Sequence, residues 1–329
     1  MDIDIFNIQP HKVSRDMRGY SVFFFGDAKT GKTTAATKFP NSLLLAFERG
    51  YNTLAGVKPQ PINSWAEFLK VLRQLKDERA KEMYETIILD TVDIAYDYVN
   101  KYICANEGVD NIASIPYGKG YTLVAQEFDE KLRSIVQMGY GIVLISHATD
   151  KTCRDESGVE YNKIVPTLDK RANNIVSRMA DIIGYSRTVA DENGHNKTML
   201  FMRGTQRYEA GSRFKYTPDY IEFNYNNLVN AIADAIDKQA KEDGEELFTA
   251  DRENVYKDTS SHLDFDELMT EFTNIINKFQ EDETKMSTYY APRITQIIDT
   301  YLGKGKKVNE MNRDQVEQLS LIIDDLKAL

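Results

Sequence analysis

Cysteine and histidine are scarce in this chain, with two cysteines and four histidines among 329 residues. Cys104 and Cys153 show no C-x-x-C spacing, which excludes a disulfide framework and points to a reducing compartment. His11, His147, His195 and His262 are too widely spaced to suggest a zinc-ligand set. Long apolar runs are also missing. Val22–Phe25, Leu43–Phe47 and Ile142–Ile145 are far too short to cross a bilayer, so a soluble protein with no membrane contact is expected. The opening MDIDIF lacks the basic and apolar regions of a signal peptide, and a cytoplasmic location is expected. Internal repeats and low-complexity tracts do not occur.

Positive charge is in short supply as well, the net charge being −10. The deficit is uneven. Residues 237–329 hold 12 Lys/Arg against 21 Asp/Glu and so carry −9 of it. The rest of the chain is almost neutral, which leaves room for a local basic face there, while the acidic tail reads as a solvated surface or a partner-binding arm.

Residues 20–236 alternate apolar strand-like runs with helical patterns, as a parallel sheet with helices on both faces requires. Strands are expected at Tyr20–Phe25, Leu43–Phe47, Thr86–Leu89 and Gly141–Ser146, with a hairpin of Ile182–Thr188 and Thr198–Met202 at the sheet edge. Helices are expected at Lys32–Phe39, after the Ser64/Glu67 capping box, and over Tyr121–Met138. Trp65 opens the second of these and reads as packing. Residues 237–260 read as the end of a helix followed by a charged linker. Three amphipathic helices then form a small all-α module over 261–329: one from a Ser261/Asp264 cap, one over about Thr284–Leu302, and one capped by Asn312 and Gln315. The expected fold is α/β, a doubly wound and mainly parallel sheet over 1–236, followed by the linker and this module.

Gly26-Asp27-Ala28-Lys29-Thr30-Gly31-Lys32-Thr33 fits G-x-x-x-x-G-K-[ST] between a strand and a helix, with Thr34 next in line. The glycines let backbone N–H groups turn inward on phosphates. Lys32 neutralises the β/γ oxygens of ATP, and the Thr33 hydroxyl suits Mg²⁺. Ile87-Ile88-Leu89-Asp90 ends an apolar strand in an acid; on a strand next to the P-loop, Asp90 would hold the Mg²⁺ through water. Glu48 closes the Leu43–Phe47 strand, where a carboxylate can deprotonate the attacking water. An ion pair with Arg49 is its blander reading, and Asp93 and Asp27 are alternative bases. His147 closes Ile142–Ser146, either touching the γ-phosphate or serving as a structural histidine.

These residues resemble the RecA-like P-loop ATPases of bacteriophages, an AAA-type nucleotide-binding group that acts in single-strand annealing and recombination. The resembling stretches are the P-loop, Phe47-Glu48-Arg49-Gly50 with Leu54-Ala55-Gly56, Ile87–Asp90, Tyr117-Gly118-Lys119-Gly120-Tyr121 and Ile145-Ser146-His147, spread over about 15–236. The resemblance implies a RecA core in which Glu48 is the catalytic base and His147 couples nucleotide state to DNA-binding loops at about 103–120 and 149–166. It implies a homo-oligomer with ATP at subunit interfaces, working in the cytoplasm of a bacterial host. A basic residue reaching across from a neighbouring subunit would be Arg203, Arg207 or Arg213. Residues 261–329 have no counterpart in the group.

Single-strand binding needs basic side chains with aromatics for stacking. Tyr117, Lys119 and Tyr121 qualify in one loop, and Lys151, Arg154, Tyr161 and Lys163 in the other, although Asp155, Glu156 and Glu160 oppose them. Lys304, Lys306 and Lys307 form a further basic spot in the helical module. The function expected is an ATP-hydrolysing, single-stranded-DNA-binding recombination or annealing protein. The alternative is a replication accessory such as a helicase loader, which would meet a single-strand-binding or replication protein through the helical module. A small-molecule kinase is disfavoured, because the stretch after His147 holds only Arg154 before Arg171.

Overall fold

The computed structural model describes residue 6 and residues 10–191, 193–250 and 264–329. In chain order the first elements are β1 (Val13–Ser14), β2 (Ser21–Gly26), α1 (Lys32–Ala36), β3 (Ser42–Ala46), β4 (Pro59–Pro61), α2 (Trp65–Leu75), α3 (Glu78–Met83), β5 (Thr86–Asp90) and α4 (Val92–Glu107). Next come α5 (Lys119–Gln137), β6 (Gly141–Arg154), β7 (Glu160–Pro166), α6 (Lys170–Met179), β8 (Ile182–Ala190) and β9 (Asn196–Phe201). β10 (Gly211–Ser212), β11 (Tyr220–Glu222), α7 (Tyr225–Asp243) and β12 (Phe248–Thr249) complete a first compact unit that lies within Ile3–Asp258.

Why the strands carry apolar residues at consecutive positions is plain from their two faces. Along β2, Phe23 and Phe25 enter one core while Val22 and Phe24 enter a second. β5 divides the same way, with Ile87 and Leu89 on one side and Ile88 on the other, and so does β6. The first core is closed by α2, α4, α5 and α6, through residues such as Phe68, Val99, Phe128 and Val176. The second is closed by α1 and α7, through Ala36, Leu228 and Ile232. A strand with helices on both faces has no side to give to water.

The sheet runs β11-β9-β8-β2-β6-β5-β3-β4, with β7 added to β6 and β10 to β8. From β8 to β4 all pairs are parallel. This order corrects three expectations. β5 does not neighbour the P-loop strand β2, because β6 lies between them. The β8–β9 hairpin is not at the edge: β8 pairs directly with β2, and β11 lies outside β9. β6 continues from Gly141 to Arg154 and pairs antiparallel with β7, so most of 149–166 is a hairpin rather than a loop. Beyond His147 that strand leaves the central sheet, so its polar residues carry no apolar signal and only pairing with β7 defines it.

Much of the loop expected at 103–120 is also structured. α4 reaches Glu107 on a stripe of Val92, Ala95, Tyr96 and Val99, and α5 begins at Lys119. The helix expected over Lys32–Phe39 ends at Ala36, with Thr37 as its C-cap. Of the stretch expected to be a helix end and linker, residues 237–243 finish α7, and β12 pairs with β1 in the first unit.

A second compact unit lies within Thr259–Leu329. Its helices are α8 (Phe265–Gln280), the single turn α9 (Glu283–Lys285), α10 (Ala291–Leu302) and α11 (Val316–Lys327). Asp264 caps α8 by accepting from the N–H groups of Asp266 and Glu267; Ser261, expected to share that cap, lies outside the described residues. Asn312 and Gln315 form a reciprocal capping box before α11. Ile294, Leu302, Leu319, Ile322, Ile323 and Leu326 make a core of their own. Among the described residues no helix is long and apolar enough to cross a membrane.

Candidate nucleotide site

The P-loop leaves β2 at Gly26 and enters α1 at Lys32. Gly26 is forced by its neighbour on β8: a Cβ there would lie 2.1 Å from the carbonyl oxygen of Ser186 and 2.4 Å from its Oγ. Gly31 has φ 79° and Lys29 φ 63°, so the loop makes two left-handed turns before the helix, and glycine takes one of them without strain. The loop is braced from β8. Asp27 N–H donates to Ser186 O (3.3 Å), and Thr30 Oγ1 lies 2.7 Å from Ser186 Oγ and donates to Asp27 O at 2.9 Å. Asp27, Ala28, Lys29 and Thr34 are exposed, whereas Thr30 and Lys32 are buried. Ser186 was not among the residues expected from the sequence, since nothing local marks a serine on a strand 156 positions away from Thr30.

The Lys32 ammonium donates to Gly26 O at 3.0 Å and to Asp27 O at 2.7 Å. Burial pushes its pKa down, while the charges of Asp90 and Asp27 pull it back up. Thr33 Oγ1 donates to Asp90 Oδ2 at 2.7 Å. The Asp90 carboxyl is pushed up by burial, a shift that the Thr33 hydroxyl opposes. Although β5 is two strands from β2, both end at the same rim of the sheet, and the Thr33 side chain spans the gap. Thr33 and Asp90 are hard oxygen donors, and two such groups with the remaining positions left to water and phosphate suit Mg²⁺.

Phe47 and Glu48 both donate their N–H groups to Asp90 O, at 2.8 and 3.0 Å, which holds the chain leaving β3 against the end of β5. Glu48 is then positioned so that its Oε2 lies 3.1 Å from His147 Nε2. His147 pairs in register with Gly26 on the adjacent strand. Both side chains are partly open to solvent, at 46% and 40% of full exposure. Glu48 therefore pairs with His147 rather than with Arg49. Asp93, weighed as an alternative base, accepts from Ser146 Oγ (2.9 Å) and Thr167 Oγ1 (2.5 Å) and so fastens the foot of the β6–β7 hairpin. Asp27 stands exposed on the loop itself.

The three arginines differ. Arg203 donates to the carbonyls of Phe214, Lys215 and Thr217, and Arg213 to Asp181 and Arg178 O, so both brace their own chain. Arg207 is exposed beside β7, where its carbonyl accepts from Ile164 N–H. Tyr117 is fully exposed with φ 57°, and Lys119 is exposed at the start of α5. Tyr121 lies under the Arg171 guanidinium at 4.7 Å. Lys151 and Lys163 face each other across the hairpin. Arg154 is paired with Glu160, and Lys163 lies 3.7 Å from Glu209, so only Lys151 of the three presents an uncompensated charge among the described residues.

A phosphate-binding loop between strand and helix, with a threonine and an acid joined at the sheet rim, defines a P-loop nucleoside triphosphatase. Residues 18–214 match the AAA domain family, and the chain belongs to that family. It is 35% identical over 335 residues to the SPbeta prophage-derived uncharacterized protein YorG of Bacillus subtilis (strain 168), covering 100% of this chain and 99% of that protein.

Proposed function

We propose that the chain is a Mg²⁺-dependent ATPase with a RecA-like, doubly wound core that binds single-stranded DNA and serves recombination or annealing of phage DNA. The observation that carries the hydrolytic half is the convergence of three pairs at one sheet rim: Lys32 with the loop carbonyls, Thr33 with Asp90, and Glu48 with His147. Lys32 would move from the carbonyls to the β/γ oxygens of ATP, and Thr33 and Asp90 would hold the ion. The bound Mg²⁺ supplies charge stabilisation on the transferring phosphoryl group. Glu48 would orient and deprotonate the attacking water, and His147 would register the γ-phosphate. Arg207, exposed and free of the internal contacts that hold Arg203 and Arg213, is the residue proposed to act across a subunit interface.

The DNA half is supported by the exposed pair Tyr117 and Lys119, and by the β6–β7 hairpin, which continues directly from His147 and carries Lys151. The prophage origin of its relative fits a phage role. A second reading, control of a protein partner such as a replicative helicase, is favoured by the separate core of the acidic C-terminal unit. Hydrolysis by the purified protein, with and without single strands, beside a Lys32→Ala control, decides between them. Stimulation by DNA that disappears in the control supports the recombinase. Steady hydrolysis indifferent to DNA overturns it and leaves the partner-controlled switch.

A further inference from the structure

Asp93 lies in the first turn of α4, where a carboxylate ordinarily serves the positive end of its own helix. Here its Oδ1 is committed to two other elements, accepting from Ser146 Oγ at 2.9 Å and from Thr167 Oγ1 at 2.5 Å. Its Oδ2 is buried and has no partner among the described residues. Ser146 is buried in β6 immediately before His147, and Thr167 is exposed where the chain leaves β7. Each hydroxyl has one proton, and each also lies near His147 O, at 3.1 Å from Ser146 Oγ and 3.4 Å from Thr167 Oγ1. The carboxylate is the nearer acceptor for both and, being charged, the stronger one. Both hydroxyls therefore bond to Asp93, and His147 O is left to the Thr167 N–H at 3.0 Å.

The Glu48–His147 contact needs support of this kind. Both of its side chains are partly exposed, and a contact between such groups contributes little, because water competes for it and salt screens it. Its two members are therefore placed by their own backbones. On one side Asp90 O accepts from the N–H groups of Phe47 and Glu48. On the other, the pairing of β6 with β2 ends at His147, and the chain there is clasped by Thr167 and Asp93. Asp93 also acts on the phosphate end of the site. Burial pushes the Lys32 ammonium down, and the charge of Asp93 joins those of Asp90, Asp27 and Glu48 in opposing that shift.

Resting on the hydrolytic reading above, we infer that Asp93 is a positioning residue for hydrolysis: acting through Ser146 and Thr167, it holds His147 where the imidazole meets Glu48. In this role it takes no proton from the attacking water, which separates it from the base. The Asp90 carbonyl and the Asp93 carboxylate thus divide the task, the first placing Glu48 and the second placing its partner. A displaced imidazole would leave the Glu48 carboxylate unguided, and small misplacements at a reacting centre are costly in rate while leaving ground-state binding almost untouched.

Steady-state ATP hydrolysis by the full chain tests this through Thr167, whose exposed site tolerates exchange. Thr167→Val keeps the shape and loses the hydroxyl; it is expected to lower kcat about 10-fold with KM for ATP within about twofold. Thr167→Ser keeps the hydroxyl and should hold kcat within about twofold of the natural chain. Asp93→Asn, which retains an acceptor and loses the charge, should lower kcat by about 10- to 100-fold. Because the effect runs through the imidazole, adding Thr167→Val to His147→Ala should lower kcat by less than about twofold more. A further loss of about 10-fold in that background would overturn the inference and leave Asp93 a structural clasp, as would Thr167→Ser no faster than Thr167→Val. An unchanged kcat in Thr167→Val or in His147→Ala would overturn it too, while hydrolysis that disappears in Lys32→Ala would keep the ATPase reading standing. Absence of hydrolysis in the natural chain would remove both readings.

Discussion

Glu48 Oε2, just beyond β3, and His147 Nε2, within β6, lie 3.1 Å apart although their two strands do not pair with each other. β5 separates β3 from β6, and the Asp90 carbonyl, accepting from Phe47 and Glu48, carries the chain after β3 back over the end of β5. In this geometry a carboxylate able to take a proton from water is held by a group that can also meet a terminal phosphate. Glu48→Gln keeps the size and the contact but cannot accept the proton. It is expected to lower kcat by about 10²- to 10⁴-fold with little change in ATP affinity. Single-turnover hydrolysis beside equilibrium binding checks this, and a matching loss of affinity would argue for a structural role.

The Thr33–Asp90 contact predicts a metal phenotype. If Asp90 acts through metal-bound water, Asp90→Asn raises the Mg²⁺ concentration for half-maximal hydrolysis by roughly 10- to 100-fold. A Mg²⁺ titration at saturating ATP measures it. An unmoved midpoint would leave Asp90 as a cap on the Thr33 hydroxyl and nothing more.

Gly26→Ala drives a methyl group into the Ser186 backbone at 2.1 Å, which no rotamer can relieve. The cost is expected to be about 1–3 kcal/mol, equivalent to a fall in Tm of roughly 2–10 °C for a unit of this size. Ser186→Ala removes the Thr30 and Phe25 contacts without a clash, so it should lower Tm less and weaken ATP binding. Thermal melts of the two variants give the comparison.

Arg207→Ala is expected to leave ATP binding intact and to lower kcat by about 10³-fold if the arginine acts across an interface. Arg203→Ala and Arg213→Ala should lower Tm instead, because each removes bonds to the chain's own carbonyls or to Asp181. Mixing Arg207→Ala with Lys32→Ala subunits should restore part of the activity, since an intact loop can then meet an intact arginine. No recovery on mixing would exclude the shared site.

Burial pushes the hydroxyls of Tyr20, Tyr96, Tyr140 and Tyr185 up to about 12 from 10.0. The folded chain keeps these protons at a pH where the unfolded chain has lost them. Their contribution to stability is therefore complete below pH 10.0 and is lost as pH rises through about 12. The slope is about 1.4 kcal/mol per pH unit for each tyrosine. Tyr140→Phe forfeits the hydrogen bond to Leu75 O, costing about 1 kcal/mol near neutrality, but should decline less steeply in alkali. Urea midpoints across the alkaline range test it, and parallel curves for the two proteins would refute it.

The parts legible in the chain are those made by neighbours in sequence. The P-loop is eight consecutive residues whose turns need glycine at Gly31 and whose phosphate donors are its own N–H groups. The caps at Ser64 and Asn312 work the same way, over three residues. Strands such as β2 announced helices on both faces, because apolar side chains at every position leave none to face water. Strand order had no such signature. Only the folded sheet inserts β6 between β2 and β5, brings Ser186 under Gly26, and closes Glu48 on His147 across 99 positions. The hairpin beyond His147 was equally hidden: its polar residues become a strand through bonds to β7, and a chain read one window at a time cannot contain those bonds. Likewise, residues 223–227 come to border Gly31 and Thr34 only because α7 and α1 share one face of the sheet. Local conformation follows from the side chains a residue sits beside in sequence, whereas these pairings follow from which packing of the whole sheet buries both faces at once.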